Sequence, residues 1–231
     1  LIPTNGVAYI PAEPAAPQLT AQFKDLPQWI TATWSMTLTT ERGDKRFDGI
    51  DNRTLPQATL AGSEAYEITS RLQNEIIDDA AITYPFSIRG KNPLDAAARA
   101  YITANVDAEF QSYAWMIAKP ESMNPGNRVY NQFNAAGAQK EKPNWGMPHG
   151  WGIAQIDKKR NGDTTAEVYD WHVNVASMNA TLIAKRRRYN EIIGFYRAAY
   201  QNDPSTLWIE PDDVTTNVNG TVISGRQWAI M

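Results

Sequence analysis

The chain has 231 residues, which is enough for one large or two small domains that each bury a core. Its net charge of −3 argues against a general nucleic-acid binder, and no apolar run is long enough to cross a bilayer. It has no cysteine and two histidines, which excludes disulfides, thiol nucleophiles and thiolate or histidine-rich metal sites. Any acid–base chemistry must therefore rely on carboxylates, and we expect no cofactor.

The first 90 residues have the pattern of a β-rich domain. Residues 1 to about 20 are rich in proline and predict an extended lead-in or edge segment. Apolar and polar residues alternate from Ile30 to Thr39 and again from Tyr84 to Ile88, which predicts half-buried strands. Turns are predicted at Gly43-Asp44 and Asp51-Asn52, and the stretch from Tyr66 to Ile77 fits either a helix or a strand. We predict a sandwich-like domain over residues 1–90.

A helical period begins at residue 92. Asn92 is suited to cap a helix with Pro93 in its first turn. Apolar residues then recur at steps of three and four: Leu94, Ala98, Ile102, Val106, Phe110, Tyr113 and Ile117. The pattern predicts one long helix that ends near Lys119-Pro120, because proline interrupts a helix.

The rest of the chain alternates between loops and helix. The connection from Glu121 to Gly150 is long enough to suggest a functional or mobile loop, and Lys158 to Thr165 is predicted to be a polar loop. A second helix is predicted from the spacing of Trp171, Val175, Met178, Leu182, Tyr189, Ile193 and Tyr196. Asn219-Gly220 predicts a hairpin turn. The expected class is α+β, with a mainly α domain over residues 91–231 after the β-rich one.

The stretch from Trp145 to Asp157 is the most distinctive part of the sequence. It places Gly146, Gly150 and Gly152 around two tryptophans. Glycine lets a backbone turn sharply near a ligand, and an indole offers a flat apolar wall with one donor. This composition fits a cleft for sugar rings, and the alternative is a glycine-rich turn with its aromatic residues in the core.

Glu121 is the candidate acid. It follows the buried face of the predicted helix and begins the long connection. A carboxyl group half-withdrawn from water can keep a proton to donate, as glycoside cleavage requires. The alternative is a solvated glutamate just after a helix.

Together these residues resemble the signature of the lysozyme-like superfamily, in particular goose-type lysozymes and lytic transglycosylases. Glu121-Ser122 resembles a Glu-Ser pair that those families place at a helix end. The run Gly152-Ile153-Ala154-Gln155 is similar to their Gly-Leu-Met-Gln segment and keeps its glycine and glutamine. The resemblance covers roughly residues 92 to 200 and leaves the first 90 unexplained.

The resemblance implies a role for each matched residue. Glu121 would be the general acid on the bond between N-acetylmuramic acid and N-acetylglucosamine. Asp157 would position water in hydrolysis, whereas in the lytic route Glu121 would take back a proton as an anhydro ring closes; both routes stay open. The remaining implied substrate contacts are Gln155 and Gly152 beneath the sugar, Trp145, Trp151 and Tyr130 stacking on rings, and Asn174 at the start of the later helix.

Several positions depart from the family pattern or have other interpretations. Met147 lies near where goose-type relatives carry a second acidic residue, and Pro120 directly precedes Glu121. His149 is a candidate substrate contact, although a histidine in a turn often serves only as a hydrogen-bonding group. Asp157 also fits a loop-anchoring aspartate. The basic run from Lys185 to Arg188 fits either a solvated helix face or a site for the anionic peptides of a bacterial wall.

We predict a domain that cleaves the glycan of peptidoglycan, as an antibacterial toxin or a phage-type lysin. The alternatives are a glycosidase acting on chitin or chitosan, and a cell-wall-binding structural module without activity. Because the chain begins at Leu1 rather than methionine, we expect a piece of a longer protein with its address signal elsewhere. The expected place of action is the periplasm or the extracellular space, and the expected partners are peptidoglycan strands and an inhibitor or immunity protein.

Overall fold

A computed structural model describes residues 6–15, 31–40, 43–51, 65–73, 80–122, 130–147, 150–157, 165–202, 210–218 and 220–230. The strands are β1 (Val7–Ile10), β2 (Thr31–Thr40), β3 (Gly43–Asp51), β4 (Ala65–Gln73), β5 (Ala80–Gly90), β6 (Trp145–Gly146), β7 (Gly150–Trp151), β8 (Thr215–Val218) and β9 (Thr221–Ser224). The helices are α1 (Asp95–Asn105), α2 (Ala114–Glu121), α3 (Thr165–Tyr169), α4 (Trp171–Asn202) and α5 (Gly225–Ile230). The chain is therefore of mixed α and β class, as predicted.

Strands β1 to β5 form one sheet in the order β1-β5-β4-β2-β3. Strands β2, β3, β4 and β5 pair antiparallel, and β1 adds to β5 in parallel at the edge. The predicted strands are confirmed over Thr31–Thr40 and through Tyr84, while Ile30 lies outside the described residues. The stretch from Tyr66 belongs to a strand, β4. The described residues of this part form a single sheet, so a second sheet packed on it as a sandwich is not observed among them.

The turn predicted at Gly43-Asp44 is wrong in its position. Both residues belong to β3, where Gly43 is opposite Thr40 and Asp44 is opposite Thr39. Asp51, at the second predicted turn, is the last residue of β3 and is opposite Thr33. Gly43 is therefore the first residue of β3 and is paired with the last residue of β2.

The predicted long helix is two helices, which corrects the sequence interpretation. Val106, after α1, has an extended backbone with φ −103° and ψ 161°, and α2 begins only at Ala114. Helix α4 holds the intervening turn, since the Asp107 amide donates to Asn179 Oδ1 (2.9 Å) and Arg186 donates to Asp107 (3.1 Å) and Glu109 (3.0 Å). The apolar spacing was right about burial for five residues: Ala98, Ile102, Val106, Phe110 and Tyr113 are all buried.

Asn92 does not cap α1, contrary to prediction. The first helical residue is Asp95, and Leu94 is exposed in the cap position without a capping side chain. The amide of Asn92 instead accepts from Phe133 N (2.8 Å) and donates to Phe133 O (2.8 Å). A side-chain amide can imitate the pairing of a strand in this way, and Asn92 thereby holds the loop that leads toward Trp145.

Helix α4 is the central helix of the C-terminal half. Asp170 accepts from His172 N (2.8 Å) and caps its first turn. The core combines its residues Trp171, Val175, Met178 and Leu182 with α1, α2 and the segment around Ile153. This confirms the first part of the predicted face, whereas Tyr196 at its end is 54 % exposed. The hairpin predicted at Asn219-Gly220 is also present, as β8 and β9. None of the described helices has the length and apolar character needed to span a membrane.

The end of the N-terminal sheet contacts the loop before the site. Lys91 and Tyr9 donate to the carboxylate of Glu141 at 2.6 and 3.1 Å, and Gly90 N donates to Glu141 O (2.9 Å). Glu141 has a positive φ of 65°, an uncommon conformation for a residue with a Cβ. This junction fixes one end of the loop that continues to Asn144 and Trp145.

Candidate functional site

The segment from Trp145 to Ile156 folds into a small hairpin and a tight turn. Trp145 is opposite Trp151 and Gly146 is opposite Gly150 in the two-stranded pair of β6 and β7. A further bridge joins Trp151 to Ile156, so the four residues between them form a compact turn. Gly152 and Gln155 both adopt positive φ, 72° and 46°.

The glycines of this segment make room for specific side chains. A Cβ added at Gly146 would overlap Gln155 Oε1, and one at Gly150 would lie 2.9 Å from the same atom. A Cβ at Gly152 would lie 2.5 Å from Gln132 Oε1 and 2.7 Å from Asn174 Nδ2. The Gly-Trp-Gly pattern is therefore a packing requirement imposed by neighbouring amides.

Two buried amides hold the turn to α3 and α4. Gln132 Nε2 donates to the carbonyls of Glu167 (3.0 Å) and Val168 (2.7 Å), and its Oε1 accepts from Ile153 N (3.1 Å). Asn174 Nδ2 donates to Trp151 O (2.8 Å) and Glu167 O (3.1 Å), and its Oδ1 accepts from Ala154 N (2.9 Å). Asn174 was predicted to contact substrate, but it is fully buried with its amide used inside the protein. Its place at the turn fits a structural function.

A third buried amide connects the turn to the end of α2. Asn144 O accepts from Gly152 N (2.8 Å) and more weakly from Gln155 Nε2 (3.4 Å). Asn144 Nδ2 donates to Asn131 O (3.1 Å) and makes a longer contact to Ser122 O (3.4 Å). Ser122 directly follows Glu121, so the Glu-Ser pair and the Gly-Gln turn are joined through one residue.

Glu121 is the last residue of α2, and its side chain is exposed. The sequence predicted a half-buried carboxyl group, and this was wrong. Ser122, four residues after the buried Ala118, continues the buried face of the helix, and Glu121 lies beside that face. Its carboxylate makes no hydrogen bond or ion pair with another residue of the described ranges.

The aromatic candidates divide into exposed and buried residues. Trp145 is 47 % exposed and Met147 is 87 % exposed on the hairpin, so both are open to a ligand. Trp151 is 8 % exposed and Tyr130 is 1 % exposed, which leaves neither with a free ring face for stacking on a sugar. Tyr130 donates to Trp115 O (3.3 Å), and burial raises the pKa of Tyr130 to about 12. Stacking by these two residues was predicted and is wrong.

No family model, curated protein or solved structure matches the chain.

The remaining predicted site residues have mixed outcomes. Gln155 lies in the turn with its Nε2 donating to Gly152 O (2.9 Å), and Asp157 is exposed just after it. His149 and residues 158–164 of the predicted polar loop lie outside the described residues. Thr165, its predicted end, is instead the first residue of α3. Among the residues that the structure describes, no three histidine or carboxylate side chains lie close enough together to hold a metal ion.

The amides at positions 131, 132 and 144 were missed by sequence reasoning. The long connection contains several asparagine and glutamine residues, but such a composition alone indicates a loop. Only the fold reveals that these polar side chains are buried, because their partners lie far away in the sequence. The Asn-Gln pair before Phe133 was the one signal available.

Proposed function

We propose that this chain cleaves the glycan strands of peptidoglycan, with Glu121 as the general acid. One observation supports the proposal most directly: Asn144 joins the residue after Glu121 to the turn that contains Gly152 and Gln155. A helix end with an exposed carboxylate and a tightly packed glycine turn are thereby neighbours, although about thirty residues separate them in the sequence. Glycoside cleavage requires an acid close to a surface that orients the sugar.

In the proposed reaction, Glu121 protonates the oxygen between N-acetylmuramic acid and N-acetylglucosamine as the sugar ring becomes oxocarbenium-like. In hydrolysis, Asp157 orients the attacking water. In the lytic route, the carboxylate of Glu121 instead accepts the proton of the muramic acid hydroxyl, and an anhydro ring closes. Both routes use carboxylates alone, so the proposal includes no cofactor.

Trp145 is the best candidate for a sugar contact in this proposal. Nearly half of its surface is exposed next to the turn, and indole faces are well suited to stack on sugar rings. Peptidoglycan lies outside the cytoplasmic membrane, so we propose the periplasm or the extracellular space as the place of action. A toxin of this kind would also need an inhibitor or immunity protein in the producing cell.

The exposed position of Glu121 makes the proposal easy to test. We expect Glu121→Gln to abolish the clearing of purified cell walls, because the amide cannot donate the acid proton, while the melting temperature stays unchanged. Glu191→Gln is the matched control, since Glu191 pairs only with its helix neighbour Arg188 among the contacts described for it. Clearing by Glu121→Gln at the rate of the unmodified chain would remove Glu121 from the mechanism.

A second candidate is a cell-wall-binding module without activity. It is favoured by Met147, an 87 % exposed apolar residue near the position where the resemblance would imply a second acid. The two candidates differ in their products on purified sacculi. A binding module would sediment with the sacculi and release no soluble fragments, whereas an enzyme would release them.

A further inference from the structure

Asn144 lies between the end of α2 and the turn that contains Gly152 and Gln155. It is buried, at 5 % exposure, yet it directly precedes the exposed Trp145. Its backbone carbonyl accepts from the turn, from Gly152 N and Gln155 Nε2. Its side-chain amide donates to Asn131 O (3.1 Å) and, at a longer distance, to Ser122 O (3.4 Å) at the end of α2. Its own amide N donates to Gln132 O (2.9 Å), which anchors it to the buried network.

The carbonyl groups at the end of α2 need hydrogen-bond donors from outside the helix. The last carbonyls of a helix have no partner within the helix, and Ser122 O accepts from Asn131 Nδ2 (2.9 Å) and from Asn144 Nδ2 (3.4 Å). The two amides differ in what they connect to this helix end: Asn131 connects it to Asn92, whereas Asn144 connects it to the turn of Gly152 and Gln155. Pro120 removes one helical hydrogen bond in the same turn, which makes outside support more important.

We propose that Asn144 is a positioning residue, which keeps Glu121 and the turn of Gly152 and Gln155 in one fixed geometry. Asn144 acts through Ser122 and does not touch the substrate. The inference rests on the proposed function, and it adds a residue that the lysozyme-like motifs do not include. If the side-chain amide of Asn144 is removed, we therefore expect the acid to be misplaced relative to the bound sugar. The chemical step then slows, while sugar binding is retained.

Asn131 provides a matched control. It is also a fully buried asparagine, and its Nδ2 donates to the same Ser122 O. Its Oδ1, however, accepts from Asn92 (2.9 Å) on the opposite side, and its side chain makes no hydrogen bond to the turn within the described residues. Asn131→Ala and Asn144→Ala therefore remove comparable buried amides, but only the second one disconnects the turn from α2.

The test measures kcat and KM on soluble peptidoglycan glycan fragments for the full chain and both alanine variants, together with their melting temperatures. We expect Asn144→Ala to lower kcat by about tenfold or more with KM within about twofold, because misplacement by about an ångström has effects of this size. Asn131→Ala is expected to melt as early as Asn144→Ala but to retain kcat within about threefold. Equal losses of kcat in the two variants would overturn the positioning role of Asn144 but not the proposed function.

Two further outcomes are informative. An unmodified chain that is inactive on all fragments would overturn the proposed function and this inference with it. If Asn144→Ala does not fold, Asn144→Ser and Asn131→Ser, which fill more of the space, are compared in the same way. Failure of both Asn144 variants to fold would show that Asn144 is needed for folding and would overturn a positioning role.

Discussion

At the scale of single residues, Gly152 shows how tightly the turn is constrained. Its φ of 72° is a conformation that side chains disfavour, and a Cβ there would collide with the amides of Gln132 and Asn174. Gly137 has a similar φ of 79°, but nothing lies within 4 Å of the Cβ it lacks. A comparison of alanine substitutions at the two positions therefore distinguishes the cost of backbone strain from the cost of steric overlap.

We expect Gly152→Ala to destabilise the chain by roughly 3 kcal/mol or more, from strain plus overlap. Gly137→Ala should cost only the strain, about 1 to 2 kcal/mol. Urea denaturation of the two variants measures the difference. Equal free energies of unfolding would mean that the amides around Gly152 move aside at little cost.

We predict that Trp145 contacts the sugar and that Trp151 stabilises the fold. Trp145→Ala should raise KM for glycan fragments severalfold and leave the melting temperature nearly unchanged, because its side chain is half exposed. Trp151→Ala should lower the stability by about 3 kcal/mol, because it removes a large buried side chain. Kinetics and thermal melting of both variants check this assignment. An unchanged KM for Trp145→Ala would exclude Trp145 from the sugar contact.

At the scale of elements, the junction between the sheet and the site loop depends on Glu141. The hydrogen bond from Lys91, with a second one from Tyr9, holds the pKa of Glu141 below its usual value of 4.5. The folded state thus binds fewer protons than the unfolded state. The contribution of Glu141 to stability is fully present above pH 4.5 and is lost as the pH falls through the lowered pKa.

We therefore expect Glu141→Gln to destabilise the chain at pH 7 by about 1 kcal/mol. The difference from the unmodified chain should shrink as the pH is lowered below 4.5, because the carboxylate then becomes protonated. Denaturation at a series of pH values tests this. A difference that stays constant down to pH 2 would mean that the charge of Glu141 contributes nothing to the junction.

The elements also show what the sequence can and cannot predict. The strand Thr31–Thr40 and the helix from Trp171 were predictable, because each repeats a simple period along the sequence. The break between α1 and α2 was not predictable, because the apolar residues at positions 106, 110 and 113 stay buried across it. Arg186, about 80 residues away, is what holds that break, and a local pattern has no information about it.

The candidate site was predictable to a similar extent. A glycine-rich turn with buried aromatic residues was one of the two interpretations of this stretch, and the residues from Gly150 to Ile156 form such a turn with Trp151 buried. The exposure of Glu121 and the burial of Tyr130, Trp151 and Asn174 could not be read from the sequence, because burial depends on neighbours that are distant along the chain. The resemblance named the candidate residues, and the packing determines which of them face outward.

At the scale of the whole molecule, the N-terminal strand joins both parts of the chain. Strand β1 pairs with the end of β5, and the residues after it reach α4, where Trp171 Nε1 donates to Ala12 O (2.8 Å). His172 stacks on Tyr101 of α1 beside this contact. The same sheet end contacts the loop of Glu141, which leads to Asn144. The candidate site is therefore supported from the N-terminal part as well as from α4.

The central claim is that Glu121 donates a proton to a glycan bond. Mass spectrometry of the soluble fragments released from purified peptidoglycan tests it directly, with the unmodified chain and Glu121→Gln compared at equal concentration. We predict muropeptides with either reducing or anhydro ends from the unmodified chain, and none from Glu121→Gln despite an unchanged circular dichroism spectrum. The same fragments released at the same rate by Glu121→Gln, or none released by the unmodified chain, would contradict the account.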